Sequence, residues 1–228
     1  SNSGKFGKAL SFDGSNDYVS VSSVNPPNYV TVSAWFKRSG TPGNSYHIIY
    51  TQGTQIEISI PESTGAIRTG VTTATMGRQV FNSGSGLSDG NWHYVALTYD
   101  GSYLKSYIDG KQTASNPVSG ALSTGSATTI GYLGGGYATN GLIDEVKIYN
   151  YALTADEVLL DYNRGSALVL GSTTTTSAGT PDNSSAGEYC VPGSSDSCAA
   201  PVGEWKMDEK TGIYAYDTST NNKTGTLT

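Results

Sequence analysis

The sequence predicts an all-β fold, a sandwich or barrel of antiparallel strands with one short helix near residues 154–162. Three observations carry that prediction. Short runs of alternating apolar and polar residues recur along the chain, bounded by Gly, Pro, Asn and Asp. Asp-Gly pairs at 89–90, 100–101 and 109–110 punctuate the middle of the chain, and Asp-Gly between such runs is the strongest short-range hairpin signal. The composition agrees: 29 Gly and 16 Tyr in 228 residues, with 14% charged residues, fit many turns and aromatic-rich strands. An average globular chain carries roughly 25% charged residues.

In chain order, Ala9 to Val21 forms two short strands meeting at a tight corner. Leu10 and Phe12 share a face, Asp13-Gly14 turns the chain, and Asp17, Val19 and Val21 share a face of the next strand. Pro26 and Pro27 end that strand, since proline cannot donate to a ladder. Over Tyr29 to Lys37, Val30, Val32 and Ala34 face one way, and Thr31, Ser33 and Trp35 the other. Tyr46 to Thr51, Gln55 to Ile60 and Ala66 to Thr72 are further strands, with Ile56, Ile58 and Ile60 inward. From Thr73 to Gly90 the pattern dissolves, leaving Val80 and Phe81 as the strong strand formers. Asn91 to Tyr99, Tyr103 to Ile108 and Lys111 onward form a meander. Thr128 to Tyr132 is a short strand ahead of a glycine-rich loop over 133–141, and Leu142 to Tyr149 follows, with Asp144, Val146 and Ile148 on one face. Thr154 and Glu157 make a capping box, and Leu153 with Val158 a hydrophobic staple, so the helix starts there and stops near Gly165. Residues 166–201 have the Ser/Thr/Gly/Pro composition of a linker.

Charge and composition exclude some partners. A net charge of −6 argues against nucleic acid, which wants a basic face. No apolar run approaches the roughly 18 residues of a membrane helix, and Ser1 to Lys5 lacks a signal-peptide core, so an export signal is expected outside this piece. Cys190 and Cys198 flank a turn-forming Pro192-Gly193 loop and are expected to close a small disulfide, which implies an oxidising, extracellular or cell-surface setting.

Several runs together resemble the laminin-G-like, concanavalin A-like lectin/glucanase domains of bacterial surface and secreted proteins. They are GKFGKALSFDG at 4–14, NDYV at 16–19, VSAWF at 32–36, DGNWHYV at 89–95, YIDGK at 107–111, and LIDEVKIYN at 142–150 followed by Ala152-Leu153. The resemblance implies a jelly-roll sandwich of two antiparallel sheets over residues 1–165. It also reaches GEWKMDE at 203–209, YDTS at 216–219 and NNKTGTL at 221–227, which look like the opening strands of the same domain. Here they come last, after the 166–201 linker, as though one period of a tandem array had been cut out of frame. Residues 202–228 are therefore expected to add strands to the sandwich, from the same chain or by exchange with a neighbouring copy.

Retaining glycoside hydrolysis needs two carboxyls about 5–5.5 Å apart across the bond. Asp144-Glu145, Asp156-Glu157 and Asp208-Glu209 are adjacent pairs that do not face one way, and Glu57 and Glu62 stand apart from other carboxylates. The expectation is a non-catalytic carbohydrate-binding or adhesion module stabilised by calcium. A spacer repeat without a ligand, a protein-recognition module and, less favoured, a glycoside hydrolase are the alternatives. Calcium takes six to eight oxygens, and the expected ligands are Asp13, Asn16 and Asp144, with Asp17 behind them; the other reading of this corner is an ordinary hydrogen-bonded Asx turn. Tyr132 and Tyr137, flanking the glycine-rich loop, are the favoured glycan-stacking residues. Trp35 is either a third platform or a packing residue.

Overall fold

The computed structural model describes residues 2–24, 28–125, 127–163, 201–209, 212–219 and 221–228. The expected linker, apart from Pro201, lies outside them, and so does the expected Cys190–Cys198 disulfide. In chain order the strands are β1 (Asn2–Ser3), β2 (Lys8–Asp13), β3 (Val19–Val21), β4 (Val30–Arg38), β5 (Tyr46–Gln52), β6 (Ile56–Pro61), β7 (Ile67–Thr73) and β8 (Gly77–Ser83). They continue with β9 (Trp92–Tyr99), β10 (Tyr103–Ile108), β11 (Lys111–Pro117), β12 (Thr128–Ile130) and β13 (Asn140–Tyr149). After the helix α1 (Ala155–Tyr162) come β14 (Gly203–Trp205), β15 (Tyr214–Ala215) and β16 (Gly225–Leu227).

These strands make two sheets in which every pairing is antiparallel. The first runs β1-β2-β13-β4-β9-β10-β11, with β14 also on β13, and the second runs β15-β16-β3-β12-β5-β6-β7-β8. The inward residues of the alternating runs, among them Phe12, Val32, Ile58, Val95 and Ile143, fill the space between the sheets. Burying such a side chain is worth about 1.5–3 kcal/mol. The strand over Gly77–Ser83 has no clean apolar alternation because it is the edge of the second sheet and half-exposed along its length.

One face assignment from alternation is overturned. Val146 and Ile148 point into the core, but Asp144 does not share their face. Asp144 opposes Trp35 and Lys147 opposes Ser33, so two residues of β13 are accommodated against one of β4. This is a β-bulge, and Glu145 within it takes a positive φ of 51°. The extra residue shifts the phase of the alternation, which turns Asp144 onto the outer face of the first sheet beside Trp35.

That outer face is covered. Trp35, Tyr94, Ala96, Tyr107 and Tyr149 pack against Leu153 and Val158 of the helix and its entry. The helix begins as its local signals require: Thr154 Oγ1 accepts from the Glu157 N–H, and Glu157 Oε2 accepts from the Thr154 N–H. Its buried Asp161 is the polar anchor. The Asp161 carboxylate accepts from Lys147 Nζ at 2.7 Å, Ser33 Oγ at 3.0 Å and Tyr94 Oη at 2.7 Å.

The last segment enters both sheets. Strand β14 pairs with β13 through Val146↔Trp205, β16 pairs with β3 through Thr226↔Ser20, and Trp205, Met207 and Ala215 are core residues. Without it β13 would lose its partner on one side beyond the bulge and β3 would become an open edge.

Candidate functional site

Three loops meet at one end of the sandwich: residues 13–17, 39–45 and 133–139. The Gly14 N–H donates to Thr139 O, and the Gly43 N–H donates to Ala138 O. Gly43 lies so close that a Cβ there would stand 2.5 Å from both Gly14 O and Gly136 O, so only glycine lets the loops close. Asp13, Asn16 and Asp17 share this corner. Its carboxylates are engaged by backbone: Asp13 Oδ1 accepts from the Ser15 N–H at 2.8 Å and Asp17 Oδ2 from the Asp13 N–H at 3.1 Å. The first of these contacts is that of an Asx turn.

Asp144 does not join it. Asp13 opposes Asn140 across the β2–β13 ladder, which leaves Asp144 four residues further along β13, roughly 13 Å away. The quartet of calcium ligands is therefore not assembled, because strand register separates it. Among the described residues, no group of three or more His, Cys, Asp and Glu side chains is placed to hold a metal ion. Asp144 nevertheless has an unusual setting. It is fully buried, Oδ2 accepts from the Phe6 N–H at 3.0 Å, and among the described residues Oδ1 has no partner. Burial, with Glu145 and Asp208 nearby, pushes its carboxyl up to about 7. Asp208, in the segment after β14, contacts the same N-terminal loop, accepting from the Lys8 N–H at 2.7 Å.

Trp35 is not a stacking platform. It is 4% exposed, with Tyr162 of the helix stacked on it at 5.4 Å, Phe6 edge-on at 5.8 Å and Lys5 Nζ over the ring at 4.3 Å. Its strand face was read correctly; its cover comes from segments far away in the chain.

Tyr132 and Tyr137 fall on a different surface, the outer face of the second sheet and its adjoining loop. Tyr18 and Ser20 point outward because Val19 and Val21 point in, and Tyr18 stacks on Tyr132 with ring centroids 5.6 Å apart. Tyr46, outward because His47 turns in against Phe36, lies 5.8 Å from Tyr137. At the far edge Tyr214 and Tyr216 flank the buried Ala215 and are 50% and 55% exposed, with their rings 6.2 Å apart. Register places one outward residue from each strand in a transverse row: Tyr214, Thr226, Ser20, Thr129, Thr51, Glu57, Gly70 and Val80. Eight strands span roughly 34 Å across the face.

Glu57 is the charged centre of this row. It is 1% exposed, and its carboxylate accepts from Arg68 at 2.9 Å, from Arg78 and from Ser59 Oγ at 2.6 Å. Gly70 beside it provides the room: a Cβ there would meet Val80 at 3.2 Å and Glu57 Cβ at 3.7 Å. Arg68 also lies over Tyr46, 5.1 Å from the ring centroid. Tyr18, Tyr46, Tyr214, Tyr216 and this charge cluster were not singled out in the sequence. The Tyr214-Ala-Tyr216 alternation was the available signal.

Two histidine clusters complete the polar inventory. His47 is buried and accepts from the Asn140 N–H at Nδ1, so Nε2 donates to Glu62 at 3.1 Å, and burial lowers its pKa. Arg38 also binds Glu62 and holds that carboxyl below the usual range. His93 donates from Nδ1 to Asp109 at 2.9 Å and from Nε2 to Asp89 at 3.0 Å, and these hydrogen bonds, Asp109 first, raise it to about 8.

No curated protein matches the chain. Among solved structures, a candidate carbohydrate-binding protein from Bacteroides ovatus superposes with a TM-score of 0.63 at 17% identity, over 96% of this chain and 57% of that one. The chain thus spans a little over half the length of that relative. Domain 4 of an extracellular arabinanase from Geobacillus stearothermophilus, in complex with arabinotriose, gives 0.56 at 23% identity, over 70% of this chain and 78% of that one. The CBM40 domain of a Ruminococcus gnavus sialidase, bound to α2,3-sialyllactose, gives 0.51 at 13% identity, over 68% and 96%. At these identities the likeness establishes the fold. The family model described as the concanavalin A-like lectin/glucanases superfamily matches residues 13–159. With most of the chain covered and two antiparallel sheets built as the motifs require, the protein belongs to the concanavalin A-like lectin/glucanase superfamily.

Proposed function

We propose that the chain is a non-catalytic glycan-binding module of a secreted or cell-surface protein, and that its ligand lies on the outer face of the second sheet. The observation that carries this reading is the set of six tyrosines on that face, in three pairs and two of them half-exposed, beside a row of Thr and Ser hydroxyls. Aromatic rings offer apolar faces to sugar rings, and hydroxyl, amide and guanidinium groups bond their hydroxyls. The sugar-bound neighbours of the same fold are consistent with it. The carboxylates on β6 and its end do not suit hydrolysis. Glu57 is engaged by two arginines and a serine, and Glu62 is held below the normal carboxylate range, the opposite of what a general acid requires. Binding across a diverse glycan array, with calcium present, tests the reading. Silence on every glycan would favour a ligand-free spacer.

Calcium belongs to the same proposal, centred on the bulge rather than on the corner. Asp144, with its partnerless buried oxygen, and Asp208 on the adjoining loop would hold the ion, and backbone carbonyls would complete the shell. Bound calcium supplies charge that compensates the buried carboxylate. At a hundred times its dissociation constant it should add about 2.7 kcal/mol of stability. A melting temperature unmoved by calcium or chelator, with no metal in native mass spectrometry, would remove this part of the proposal and leave the glycan site intact.

A further inference from the structure

We infer that the outer face of the second sheet prefers saccharides that carry a carboxylate over neutral ones. This rests on the glycan-binding reading above and adds the chemical class of the ligand. The carrying observation is a charge imbalance built into the β6–β8 end of that face. Arg68 and Arg78 converge on the single carboxylate of Glu57. One guanidinium suffices to neutralise it, so the cluster keeps an excess positive charge. Arg38 and Glu62, at the end of β4 and just past β6, pair with each other. In a chain of net charge −6, a positive site facing outward runs against the overall balance.

The donors also remain in surplus. A guanidinium has five N–H groups in a rigid fork. Arg68 spends one on Glu57, and Arg78 spends one on Glu57 and another on Thr54 O. Among the described residues the remaining N–H groups of both have no acceptor, and the side chains are 25% and 31% exposed. Arg68 is held in place from two sides, by Glu57 and by the Tyr46 ring. An oriented guanidinium with spare donors matches a carboxylate in two-point geometry, and the Tyr46–Tyr137 pair beside it offers a ring face to the sugar that carries the carboxylate. A neutral sugar would use the same tyrosines and leave the excess charge unanswered.

The experiment is calorimetric titration of the whole chain with matched probes: trigalacturonate against its methyl ester, and sialyllactose against lactose. At least one acidic probe should bind about tenfold or more tighter than its neutral counterpart, the value of a charge-assisted two-point contact, and the gap should shrink as salt rises. Arg68→Gln should collapse the ratio of acidic to neutral affinity to about one. If that variant does not fold, the comparison of acid and ester on the unaltered protein still decides. Equal affinity for acid and ester, with glycan binding present, overturns this inference and leaves the glycan-binding reading standing. Binding to no sugar on a diverse array removes that reading and this one with it.

Discussion

The two sheets of this sandwich present outer faces of similar chemistry and opposite fate. Each carries aromatic rings and a buried carboxylate held by cations and hydroxyls. On the first sheet Asp161 takes Lys147, Ser33 and Tyr94, and Trp35 lies beneath Tyr162 and Phe6. On the second sheet Glu57 takes Arg68, Arg78 and Ser59, while Tyr214 and Tyr216 stand half-exposed. The difference is the cover. A helix and the N-terminal loop roof the first face and convert its rings into core. Among the described residues no helix covers the second, and the cations that hold Glu57 keep part of their surface in water. An aromatic or acidic residue on an outer strand face is therefore ambiguous until the covering segment is known.

The two buried carboxylates should differ sharply in what their removal costs. Asp161→Ala strips the acceptor from three buried donors, one of them the Lys147 ammonium, and should cost about 3–5 kcal/mol. Against a total stability on the order of 5–15 kcal/mol that is close to unfolding. Glu57→Ala should cost only about 1–2 kcal/mol, because Arg68 and Arg78 can be solvated where they stand. Urea midpoints of the two variants measure the contrast. Equal losses would mean that the second face is as structural as the first.

The sequence made the local parts of this comparison legible. The helix was readable because its capping box and staple lie within five residues of one another. The face occupied by Trp35 followed from alternation with Val32 and Ala34. What covers that face did not, since Phe6 and Tyr162 arrive from 29 and 127 residues away. The bulge was illegible for another reason: a single residue, Glu145, in a left-handed conformation reverses the phase of β13, and nothing in LIDEVKIYN marks it. Of the stacking candidates, Tyr132 and Tyr137 were found through the glycine-rich loop, whereas their partners Tyr18 and Tyr46 are set by sheet register. Nothing in the sequence joins Arg68 to Arg78, and only the pairing of β6, β7 and β8 brings them to one carboxylate.

A smaller effect distinguishes the faces by pH. His93, at the start of β9 in the first sheet, bonds Asp109 and Asp89 through both ring nitrogens and is raised from 6.5 to about 8. The folded protein therefore holds this proton more tightly than the unfolded chain. Its contribution is fully present below pH 6.5 and is lost as pH rises through about 8. The loss should be about 1–2 kcal/mol, after allowance for the exposure of Asp89. His93→Gln should flatten the stability profile over that window. Glycan affinity should not follow it, because His93 lies away from the second face. An affinity that tracks the same titration would place the ligand on the wrong sheet.

The smallest change in stability should accompany the clearest change in binding. Tyr132 and Tyr137 are partly exposed, each touching one other ring, so truncation removes little buried surface. Tyr132→Ala and Tyr137→Ala should each shift stability by less than about 1 kcal/mol. Trp35→Ala, on the roofed face, should cost about 3–5 kcal/mol by leaving a cavity. Binding should run the other way. Loss of a ring that stacks on the ligand should weaken glycan affinity about tenfold or more, as aromatic anchors do. Trp35→Ala, where it remains folded, should bind normally. Thermal melts paired with titration of the same variants read both quantities. If Tyr137→Ala and Tyr132→Ala both bind as well as the unaltered chain, the tyrosines of the second sheet are packing residues like those of the first. The contrast between the two faces would then lie in their charges alone.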